Sequence, residues 1–254
     1  GELQLRCSIA AYLHQARAVE ADPEQIVVGA GNDFLLLLLC SLFGTGQTIA
    51  MESPTYKKAY DLFRNLSNQV RIIEMDESGM RVDLLEQTDA RVAYVMPSHQ
   101  FPLGKVMPVG RRMQLLAWAA AKEGRYIIED DYDSEFRYKG KPIPALQGYD
   151  NQECVIYIGT FSKSIAPAIR MSYLVLPKPL LQRYHENCGF LSSTVSRVDQ
   201  LILQKFIEDG YYERHLNKMR ALYKNRHEVL LACLKNMGDY FQISGENEGV
   251  HLMH

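Results

Sequence analysis

Tyr126-Ile127-Ile128-Glu129-Asp130-Asp131-Tyr132-Asp133 sets a short apolar run directly against a string of carboxylates. Such a run reads as a buried strand that ends in acidic groups. Side chains alternate faces along a strand, so Asp130 and Tyr132 share one face with Ile128 while Glu129 and Asp131 share the other. A carboxylate and a phenol are therefore expected in one cavity, although three neighbouring carboxylates also suit a hard cation or a solvated turn.

Outward from this stretch, short apolar runs recur at 25–28, 48–52, 70–74, 91–96, 155–159 and 173–176. Helical patterns lie between them near 32–43, 55–66 and 109–123. Ahead of the first run, Leu3, Ile9, Leu13 and Ala16 recur at helical spacing until Asp22-Pro23-Glu24 breaks the pattern. Strands separated by helices imply an α/β fold: a mostly parallel sheet of about seven strands, sandwiched by helices. After Pro177-Lys178-Pro179 the pattern becomes almost continuous helix, at 180–188, 195–208 and 211–237, followed by a possible strand at 240–243. A boundary near Pro177 is expected, with one domain over 1–177 and interdomain helices leading into a second, incomplete domain over 178–254.

Composition narrows the class. At 254 residues, with 47% apolar and 23% charged residues, the chain can bury a sizeable core. A net charge of −2 argues against a generally basic nucleic-acid-binding surface. Five scattered cysteines suggest neither a disulfide framework nor a metal site, and point to a reducing, cytoplasmic setting. The most apolar stretch, 34–43, is about half of the roughly 20 residues that span a bilayer and is expected to be a buried helix. No basic and then apolar leader opens the chain, and its abrupt ends suggest a fragment.

Ligands of open parallel sheets sit at the carboxyl ends of the strands, so the loops there carry the candidates. In Val28-Gly29-Ala30-Gly31-Asn32-Asp33-Phe34 a strand runs through glycines into a helix, a phosphate cradle or a plain tight turn. The third glycine of a dinucleotide fingerprint is missing, because Phe34 stands there. In Gly159-Thr160-Phe161-Ser162-Lys163-Ser164, a lysine among hydroxyls is followed seven residues later by Arg170, an amine beside a phosphate clamp or a merely solvated loop lysine. Pro97-Ser98-His99-Gln100-Phe101-Pro102-Leu103-Gly104 is a polar turn that also reads as an ordinary connection.

Together these loops answer one chemical requirement. A pyridoxal 5'-phosphate site needs a lysine for the Schiff base, a carboxylate for the pyridine nitrogen, a phenol near the ring oxygen and a phosphate cup. Lys163, Asp130, Tyr132, and Gly31 with Arg170 supply that set.

On these motifs, and on Pro142-Ile143-Pro144-Ala145-Leu146-Gln147-Gly148, the sequence resembles the aminotransferases of pyridoxal phosphate fold type I. More narrowly, it resembles the aminotransferase-like domain of MocR-type transcriptional regulators of the GntR family. The resemblance implies Lys163, Asp130 and Tyr132 as catalytic residues. It implies that Arg170, Thr160, Ser162 and the backbone of Ala30, Gly31 and Asn32 hold the phosphate, and that Tyr56 stacks on the ring. It further implies a homodimer, a small amino compound as substrate or effector, and a DNA-binding winged helix ahead of Gly1. Phe101 stands where ordinary class I enzymes carry an asparagine, so one hydrogen bond to the ring oxygen is expected to be missing or to be taken over by His99 or Gln100. The arginine for the substrate carboxylate is expected beyond His254. A free-standing aminotransferase uses the same residues, and a nucleotide-binding protein with a metal on Asp130 and Asp131 is the reading from another class.

Overall fold

The computed structural model describes residues 1–136 and 143–236. Helix α1 (Leu3–Arg17) precedes β1 (Ile26–Gly29), α2 (Asn32–Phe43), β2 (Thr48–Ser53), α3 (Lys57–Asn65), β3 (Gln69–Asp76) and β4 (Gly79–Met80). Then follow α4 (Val82–Glu86), β5 (Val92–Val95), α5 (Val109–Ala120), β6 (Tyr126–Asp131), β7 (Val155–Thr160), α6 (Phe161–Ser164) and β8 (Ser172–Val175). The chain continues through α7 (Lys178–Cys188), α8 (Arg197–Glu208) and α9 (Tyr211–Asn236). The expected strand at 240–243 lies outside the described residues.

The strands form one sheet in the order β1-β8-β7-β6-β5-β2-β3-β4. The central run from β7 to β3 is parallel, and β8 lies antiparallel to both β7 and β1. All seven expected strands are present, and the eighth, β4, is a two-residue strand antiparallel to β3. A two-residue strand carries no period-two pattern, so nothing in the sequence announces it.

Alternation along the strands divides the core between two faces. Ile128, Ile156, Ile158 and Leu174 pack with α2 and α7, while Ile127, Val155, Tyr157 and Tyr173 face the opposite side. Helix α2 buries Leu35, Leu36, Leu38, Leu39, Cys40 and Leu42, as its apolar run demands. No helix among the described residues is long and apolar enough to cross a membrane. Leu3 departs from the expected core pattern of α1: it is 49% exposed, whereas Leu5, Ile9 and Leu13 are buried. Residues beyond Pro177 help to fill these cores, with Leu180 and Cys188 on one side and Leu203, Tyr212 and Leu216 on the other.

Gly159 on β7 faces the ring of Tyr173 on β8, and a Cβ there would overlap that buried ring. Relieving the overlap requires the buried ring or the strands to shift, so Gly159→Ala is expected to cost about 1–3 kcal/mol of stability. Urea denaturation midpoints of the two proteins measure it.

Candidate functional site

The carboxyl ends of β1, β2, β5, β6 and β7 open onto a cavity of about 390 Å³, a volume suited to one small ligand. Its wall is drawn from separate segments: Gly31 to Asp33, Tyr56 and Lys58, Met96 and Phe101, Asp130 and Tyr132, Thr160, Ser162 and Lys163, and Arg170. Of the expected residues, Lys163, Asp130, Tyr132, Arg170, Thr160, Ser162, Gly31, Asn32 and Tyr56 all line it.

The floor is set by β6. Asp130 is 3% exposed and accepts hydrogen bonds from Tyr94 Oη at 2.5 Å and Asn32 Nδ2 at 3.3 Å. Burial raises its carboxyl to about 7 despite those donors, with Asp131 and Asp133 adding repulsion. Asp131 points to the opposite face. There it accepts from Arg17 Nε at 2.9 Å, Tyr157 Oη at 2.6 Å and Ser134 Oγ at 2.7 Å. Burial alone would raise Asp131, but the Arg17 guanidinium and the hydroxyl donors hold it below the ordinary carboxylate range. The two carboxylates cannot share one cation, which removes the metal-bridged reading of this pair. Among the described residues no other cluster of His, Cys, Asp or Glu is placed to hold a metal.

Tyr132 Oη lies 3.1 Å from His99 Nδ1, which also lies 3.0 Å from Asp133 Oδ2. His99 is 2% exposed, does not line the cavity and reaches it only through Tyr132. Gln100 is committed elsewhere, donating to Pro54 O and accepting from Leu103 N. Phe101 meets the Tyr56 ring edge-on, with centroids 5.9 Å apart, and so braces the aromatic wall.

At the opposite rim, Gly31 caps α2 with φ +87°, a conformation that favours glycine. A Cβ on Gly31 would lie 2.9 Å from Arg170 Nη2, so the guanidinium rests directly on the turn. Arg170 itself adopts φ +45° after the 3-10 turn Pro167–Ile169. Three expected phosphate contacts are otherwise engaged: Ala30 N donates to Thr194 Oγ1 at 3.0 Å, Gly31 N donates to Gly29 O at 2.9 Å, and Thr160 Oγ1 caps α6 by accepting from Ser162 N at 3.2 Å. Lys163 is exposed, and its side chain makes no hydrogen bond or ion pair to another described residue.

The donor set fits pyridoxal phosphate. It offers a buried carboxyl with no ion-pair partner among the described residues, a phenol, an amine, and a guanidinium against a glycine turn at a helix N-terminus. Tyr94, Asp33 and Lys58 were not expected. Tyr94 is hidden by its apolar strand, Asp33 by its place in a helical first turn, and Lys58 by its place in an amphipathic helix.

The sequence profile of the family described as aminotransferase class I and II matches residues 1–254. An uncharacterized HTH-type transcriptional regulator, YdeL of Bacillus subtilis (strain 168), is 44% identical over 100% of this chain and 55% of its own length. The probable rhizopine catabolism regulatory protein MocR of Rhizobium meliloti is 33% identical over 100% of this chain and 52% of its own. The chain thus spans about half the length of these curated relatives. Among solved structures, Pyrococcus horikoshii kynurenine aminotransferase in complex with PMP superposes with a TM-score of 0.86 at 28% identity, covering 98% of this chain and 64% of that one. The family and its fold imply pyridoxal phosphate as cofactor.

Two outcomes test the opposite roles of the β6 carboxylates. Asp131→Asn leaves the Arg17 guanidinium buried without its counter-charge and is expected to cost about 3–5 kcal/mol in urea denaturation. Asp130, and the buried Glu52 that burial also raises to about 7, keep their protons in the fold but lose them in the unfolded chain between about pH 4 and 7. The fold then binds more protons than the unfolded chain. The stability contributed by these groups in cofactor-free protein therefore falls as pH rises from about 4 to 7 and levels off above that. Thermal melts across that range should show a shallower fall for Asp130→Asn and for Glu52→Gln.

Proposed function

Because this chain belongs to the aminotransferase class I and II family, we propose that it binds pyridoxal phosphate through Lys163 and uses it to sense a small amino compound as part of a MocR-type regulator. The observation that carries this reading is convergence. Lys163, Asp130, Tyr132 and Arg170 leave three separate strand-end regions and line one cavity. Identities of 33% and 44% to regulators about twice its length favour the regulatory branch.

When bound, pyridoxal phosphate supplies an aldehyde that takes up amines and a ring that withdraws electrons. The protein's part is to place and tune it. Asp130, poorly stabilised as an anion in its buried setting, is the natural partner for a protonated ring nitrogen. Tyr132, held by His99, would hydrogen-bond the ring oxygen. Tyr56, braced by Phe101, would cover the ring face. Arg170, against the Gly31 turn, and the backbone N–H of Asn32 would hold the phosphate, with Ser162 beside them. Lys163, which lines the cavity, would supply the amine that holds the aldehyde, and an amino compound in the cavity would compete with it. Its amine would also serve to hold or move a proton, which is what slow transamination would require.

In this reading, residues 1–177 form the cofactor-binding part, 178–254 lead into a smaller second domain, and DNA is met only by a domain outside this chain. A homodimer and a cytoplasmic setting accord with such a regulator.

The test is spectroscopic. Protein mixed with pyridoxal phosphate should gain visible absorbance and, after borohydride reduction, a mass increment localised to the peptide containing Lys163. Lys163→Ala should lose both, whereas retention of the spectrum and of the increment in Lys163→Ala would refute the assignment.

A further inference from the structure

The cavity rim contains an anion of its own. Asp33, the second residue of α2, sits in the first helical turn with its side chain half-exposed, and its Oδ2 lies 3.3 Å from Arg170 Nη2. Both side chains line the cavity. The carboxylate therefore occupies the guanidinium that lies on the Gly31 turn, and it also satisfies the positive end of the α2 dipole. The other charged groups of this wall are Lys58, Lys163 and, on the floor, Asp130.

A phosphate ester entering here must take Arg170 from Asp33 or share it. In either case a doubly charged group comes to rest beside a carboxylate, and like charges at such distances repel. We propose that Asp33 is an internal competitor for the phosphate position, which holds Arg170 when no phosphate is present and weakens the grip on a phosphate-bearing cofactor. The loading of the cavity would then follow the concentration of that cofactor. A site with an uncharged residue at position 33 would stay filled at lower concentrations. The inference rests on the proposed placement of the phosphate at Arg170 and Gly31.

Binding of three probes to the purified protein, pyridoxal phosphate, pyridoxal and inorganic phosphate, separates the terms, read by visible absorbance for the first two and by thermal shift for all three. Asp33→Asn and Asp33→Ser should each bind pyridoxal phosphate about five-fold more tightly than the parent, and inorganic phosphate more tightly too. Pyridoxal, which lacks the phosphate, should bind parent and variants alike and thereby report that the variants are folded. The gain should shrink as salt is raised. Unchanged or weaker binding of pyridoxal phosphate in both variants overturns the proposal, and so does an equal gain for pyridoxal. Undiminished binding of pyridoxal phosphate in Arg170→Ala would instead overturn the phosphate placement itself, and the proposal with it.

Discussion

Strand β6 leaves the centre of the sheet carrying two adjacent carboxylates that the pleat sends to opposite sides. On one side Asp131, a buried anion, is tied through Oδ2 to Arg17, Tyr157 and Ser134. On the other, Asp130 faces the cavity with two uncharged donors and no ion-pair partner among the described residues. One peptide unit therefore carries both a structural charge and a chemical one. Their opposite pKa displacements follow from what each meets across its face. The cavity's other parts are arranged about this fixed point, because β5 and β7 flank β6 and deliver Met96, Thr160 and Lys163 beside it.

Most of the architecture was legible because the central strands are buried on both sides. Continuous apolar runs such as Val92–Val95 and Val155–Thr160 stand out against amphipathic helices, and the alternation of strand and helix leaves little choice of topology. What escaped notice was short. Strand β4 and helices α4 and α6 are too brief to show a period, and their formation is decided by neighbours in space.

The candidate site was legible where chemistry and position coincide: a lysine, a carboxylate, a phenol and an arginine just beyond strand ends. It was not legible where a residue's partner is distant in sequence. Tyr94 looks like any aromatic in a strand, yet its hydroxyl meets Asp130, 36 residues away. Ala30 N–H was expected to meet an anion, but Thr194 from the loop before α8 takes it. His99 stands behind Tyr132 instead of beside the cavity because its turn closes through Gln100, which pins the backbone to Pro54. Spacing along a chain reports which loops bear polar groups, but which of those groups are already engaged depends on long-range packing.

The Arg17 contact gives α1 a mechanical role. This last residue of the helix grips Asp131 through Nε and Ser98 through a terminal nitrogen at 2.7 Å, with almost no solvent access at either end of the Arg17–Asp131 pair. Close-packed interiors pass on displacement instead of absorbing it. Helix and strand therefore behave as one strut, and a load applied along α1 arrives at β6 a single residue from Asp130.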